Sequence, residues 1–107
     1  MSQTPGSPVP QEVGAELQRV VERWRQLPLG QALSQAGRVR VLVQALADAV
    51  AEADGLAASV VPDLGPATLM DQLTVMVHDA SAAAVTSKPT VTSTLAEDLA
   101  SLRRELC

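Results

Sequence analysis

The stretch MDQLTVMVHDA, residues 70 to 80, carries the one histidine in the chain, His78, with Asp71 and Asp79 close by. A histidine beside carboxylates is the raw material of general acid–base chemistry. Such chemistry needs an orienting group and a nucleophile within hydrogen-bond reach of the ring. On a helix, Asp71 lies about two turns from His78, roughly 10 Å along the axis. Asp79 is adjacent in sequence and points elsewhere. No nucleophile elbow is present for a serine triad. His78 is therefore expected on a polar, solvent-facing stripe with Asp71, Thr74 and Ser81, and no catalytic residue is assigned.

Other chemistry is equally poorly supplied. One His and one Cys, at positions 78 and 107, lack the paired spacing of a zinc site. The six glycines, at 6, 14, 30, 37, 55 and 65, never cluster into a phosphate-binding loop. No metal, cofactor or small-molecule substrate is inferred. Cys107 is the only thiol, so a disulfide framework is excluded.

The formal net charge is −4, which disfavours general nucleic-acid binding. The charge is polarised. Residues 1–40 hold five Arg against three Glu, a balance of +2, whereas residues 41–102 hold eight acids against Lys88, a balance of −7. Such a molecule is able to pair with itself or with a charged partner. The opening MSQTPGSPVP is not a signal peptide, and no apolar run is long enough to span a bilayer. The expected compartment is the cytoplasm.

The elements must be built from an unusual apolar set. Phe, Tyr and Ile are absent, and Trp24 is the single aromatic residue. Asn is also absent, and Lys88 is the one lysine against seven arginines. All of these scarce residues have AT-rich codons, so a GC-rich bacterial genome is the expected source. The core is expected to be small aliphatic side chains around Trp24.

The length fits one domain. Residues 1–10, rich in Pro, form an expected disordered tail, and residues 11–107 a single helical domain. The first helix starts near Pro10 and buries Val13, Leu17, Val20, Val21, Trp24 and Leu27, until LPLG at 27–30 ends it. The second runs from about Gln31 to Asp54, broken or bent at Gly37 and closed by Gly55. Val41 alone among its valines points to the polar side. The loop 55–65 is expected to tuck Val60, Val61 and Leu64 onto the bundle. A third helix begins at Gly65-Pro66 and buries Leu69, Met70, Leu73, Met76, Val77, Ala80 and Ala84. After a linker at 86–93, Thr94 to Glu97 has the form of a capping box. The last helix carries Leu95, Leu99, Leu102 and Leu106 on one face.

These elements predict an all-α fold, a small up-down bundle of about four helices. A rival α+β reading takes RVRVLV, LTVMV and PTVTS as strands. With no chemical constellation present, the expected function is a non-enzymatic protein-interaction module, acting by self-association, with a homodimer favoured, or as an adaptor. Its partner-binding residues are expected to be Leu95, Leu99, Leu102 and Leu106, with Val41 and the loop valines as further apolar candidates. The alternative is a small DNA-binding regulator. Residues 28–46 resemble a helix-turn-helix, with the turn at Gly37 and Arg38 and Arg40 opening a recognition helix.

Overall fold

A computed structural model describes residues 9–86 and 94–106, with no side-chain placement given for 84–86. The architecture is all-α. Helices α1 (Gln11–Gln26), α2 (Leu29–Ala53), α3 (Leu69–Thr86) and α4 (Leu95–Glu105) follow in order, with a 3₁₀ turn at Pro66–Thr68 before α3. Among the described residues there is no strand. RVRVLV lies inside α2 and LTVMV inside α3. The third candidate strand, 89–93, lies outside the described residues, as do residues 1–8 of the expected tail, the linker from 87, and Cys107.

Proline and glycine set the boundaries. Pro28 forces Leu27 into extended backbone (φ −73°, ψ 136°), which stops α1. The Pro28 carbonyl then accepts the first helical bond of α2, from the Ala32 N–H at 2.9 Å. At the far end of α2, Gly55 takes φ +70°. Its N–H donates to the Glu52 carbonyl and the Leu56 N–H to the Ala51 carbonyl. This pair of bonds is a Schellman cap, which a residue with a Cβ closes only under strain.

Two expectations about local structure fail. Gly37 does not break α2 into two helices, because Ala32, Ala36, Val39, Val43 and Leu46 form one buried stripe that runs past it. Burial along that stripe outweighs the roughly 1 kcal/mol that a mid-helix glycine costs. A Cβ at Gly37 would meet nothing within 4 Å. Gly37→Ala is therefore expected to stabilise the chain by about 0.5–1 kcal/mol in a urea melt; a loss of stability would show that the glycine has a hidden packing role. The capping box also does not form. Thr94 has near-helical backbone (φ −110°, ψ −2°) and makes no side-chain cap bond, whereas a box needs its first residue in the β region. Glu97 and Asp98 still occupy the first turn of α4, and Arg103 and Arg104 the last, which suits the helix dipole at both ends.

The helices pack in two pairs, α1 with α4 and α2 with α3, and the pairs meet through lighter contacts of α1 with α3 and α2 with α4. One cluster joins them, including Val13, Val20 and Trp24 of α1, Val39, Leu42, Val43 and Leu46 of α2, Leu69, Leu73 and Val77 of α3, and the leucines of α4. Polar contacts flank the α1–α4 seam. The Arg103 guanidinium donates to the Glu16 carboxylate at 3.0 Å, and Arg23 donates to the Leu106 carbonyl at 3.2 Å. Arg38 of α2 clasps Glu105 with two bonds of 2.8 and 3.1 Å. That hydrogen-bonded fork holds the Glu105 carboxyl below its ordinary range and raises the guanidinium further.

Candidate functional site

His78 is exposed on α3, as are Asp71 and Thr74. The Thr74 hydroxyl donates back to the Met70 carbonyl at 2.8 Å, so the nearest polar neighbour along the helix is turned onto its own backbone. Ser81 departs from that stripe. It is buried, and its Oγ has no hydrogen-bond partner among the described residues. Buried Met70 and Val77 lie within about 40° of it around the helix, so Ser81 sits at the edge of a buried arc wider than the apolar residues alone indicate. Ala84 falls outside the described side chains. His78→Ala is expected to shift stability by no more than about 0.5 kcal/mol, the ordinary range for a surface site, as read by thermal melting. Among the described residues, no three His, Cys, Asp or Glu side chains gather where a metal ion would sit. No helix there is long and apolar enough to cross a membrane.

The structure places the four leucines of the last helix in the chain's own core. Leu95, Leu99 and Leu102 are 0% exposed and Leu106 2%. In this fold α4 docks on α1 of the same chain, and the seam that was expected to meet a partner is covered. The physical reason is the small core. Val13, Val20 and Trp24 supply one face, and a helix of branched aliphatic side chains is needed to close it.

The helix-turn-helix reading of residues 28–46 also loses its geometry. Gly37 lies within one continuous helix, so Arg38 and Arg40 stand in the middle of α2 and open nothing. Both are occupied, Arg38 with Glu105 and Arg40 with Asp63 at 2.8 Å.

Val41 behaves differently. It is 63% exposed on the outer face of α2. Beside it the 54–65 segment does not tuck in as expected. Val61 packs against the core, but Val60 is 86% and Leu64 61% exposed. The segment is anchored by amide side chains. Gln44 donates to the Ser59 carbonyl at 3.0 Å and accepts from the Val61 N–H at 2.9 Å. Gln72 of α3 donates to the Pro62 carbonyl at 3.0 Å. The backbone is held, so the apolar side chains are free to face outward.

Two open hollows result. One, of about 480 Å³, includes Val41, Val60, Val61 and Gln72 in its lining. The other, of about 360 Å³, includes Val61, Leu64, Gln72, Val75 and Met76. They share Val61 and Gln72 and so form one apolar groove across α2, the segment and α3. Val75, 52% exposed, is its contribution from α3. No protein family, characterised protein or solved structure matches this chain.

Gln44 and Gln72 were not legible as site residues. A glutamine that clamps its own loop has the same sequence signature as any surface glutamine. Val41 was legible, because a valine on the polar side of an amphipathic helix breaks the pattern.

Proposed function

We propose that this chain is a non-enzymatic protein-interaction module whose docking surface is the groove across α2 and α3. One observation carries the reading: Val41, Val60, Leu64 and Val75 are each more than half exposed and line adjoining hollows. Large apolar side chains clustered in this way mark interaction surfaces more often than plain solvent-facing ones. Gln44, Gln72 and the Arg40–Asp63 pair are spent on holding the segment, and Asp71 by itself is no convergent set to orient a small reacting molecule. Self-association and adaptor binding both remain within this reading, on this surface and not on the α4 leucines.

The test is the double substitution Val41→Ser and Val60→Ser. Both sites are exposed, so stability is expected to change by no more than about 0.5 kcal/mol for each. The folded variant is expected to lose whatever association the parent shows, either self-association in sedimentation or a protein co-purifying from the native host. Association that persists unchanged in the folded variant overturns the assignment of this surface. A parent chain with no association of either kind overturns the interaction reading itself.

A further inference from the structure

The groove's surroundings are net acidic. Asp63 lines the first hollow and Asp71 the second, while Asp48 lies just outside both, one turn beyond the lining residue Gln44 and hydrogen-bonded to it; all three are exposed. Against them stands Arg40, whose guanidinium is 2.8 Å from Asp63. Three acids and one arginine give 1 − 3 = −2. With Arg40 and Asp63 satisfying each other, Asp48 and Asp71 are the uncompensated charges. Asp48 accepts a hydrogen bond from Gln44, and neither makes an ion pair among the described residues.

This pattern decides between occupants. A second copy docking through the same face would bring two rims of −2 together, which costs association free energy. The arginines of α1 offer no way round this, because their helix turns its apolar face into the core. A cationic partner gains where a second copy loses. Two hollows side by side also suit apolar side chains a turn or two apart on a helix, the helix-in-groove mode of recognition. Resting on the reading of this face as a docking surface, we propose that the groove between α2, the 54–65 segment and α3 receives a cationic amphipathic helix from another protein, with its apolar side chains in the hollows and its Lys or Arg residues against Asp48 and Asp71.

The full chain is titrated with a designed peptide of about 18 residues, five helical turns, carrying leucines on one face and lysines on the other. Controls are a peptide with glutamates in place of the lysines and a scrambled lysine peptide. Saturable one-to-one binding is expected for the first alone. Asp48→Asn with Asp71→Asn should weaken it about tenfold or more, and so should Val41→Ser with Val60→Ser. Glu97→Gln with Asp98→Asn, on α4, should leave it unchanged. Raising salt should weaken binding, since the rim charges are exposed.

Equal binding of the scrambled peptide, or indifference to the groove substitutions, overturns the inference by showing only bulk attraction to an acidic protein. Binding of the glutamate peptide as tight as that of the lysine peptide overturns the cationic partner. Dimerisation of the parent that Val41→Ser and Val60→Ser abolish also overturns the inference, yet supports the docking surface. Failure of every peptide to bind, in a chain that neither self-associates nor captures a protein through these valines, overturns both.

Discussion

Cutting the chain after Ser93 is expected to leave a protein that does not fold. The cut removes Leu95, Leu99, Leu102 and Leu106, all but fully buried in the α1–α4 seam. Each buried leucine contributes roughly 1.5–3 kcal/mol. Four of them are comparable to the whole stability of a typical domain, about 5–15 kcal/mol. The cut also strips the partners of Arg38, at Glu105, and of Glu16, at Arg103, and uncovers the face that holds Val13, Val20 and Trp24. Circular dichroism of the 1–93 fragment should show reduced helicity and no cooperative melt. A fragment that melts cooperatively near the parent's temperature would show that α4 is dispensable to the core. The α4 leucines would then return as candidates for a partner. Leu99→Ala is the milder version, with an expected cost of about 2–5 kcal/mol.

Trp24→Ala is expected to cost roughly 3–5 kcal/mol. Trp24 is 9% exposed and belongs to the main cluster. In a core made otherwise of Leu, Val, Ala and Met, no neighbouring ring is present to fill the space that it vacates. Chemical denaturation gives the loss directly. The tryptophan also reports on itself, since its native emission should be blue-shifted and poorly quenched, moving to the red in one step with unfolding. Emission that is red and freely quenched in the folded protein would place Trp24 on the surface and make it a residue for a partner.

The two predictions turn on α4, and α4 also marks the limit of reading the chain without its fold. Its leucine spacing correctly places a buried face on a helix. It does not say whose surface buries that face. Home docking and partner docking require the same four leucines at the same intervals, and α1 had to be folded beside them before the choice could be made. The break expected at Gly37 fails for a related reason. Glycine's cost is local and small, while the stripe from Ala32 to Leu46 is stabilised by a helix distant in sequence. The 54–65 segment inverts in the same way. Its valines are apolar, and a loop is expected to bury such residues. Gln44 and Gln72 hold its backbone instead, and Val60 and Leu64 are left facing water.

By itself the sequence determined the all-α class, the ends of α1 and α2, the C-cap at Gly55, the buried Trp24, and the exposure of His78 and Val41. Each of these follows from periodicity or from the backbone chemistry of proline and glycine, which act within a few residues. Only the tertiary structure decided that the α4 leucines close the chain's own core, that residues 29–46 lie in continuous helix without a turn at Gly37, and that Val41, Val60, Leu64 and Val75 meet in one groove with acidic surroundings. Those outcomes depend on which helices become neighbours, and that is settled by the total area that pairing α1 with α4 and α2 with α3 removes from water.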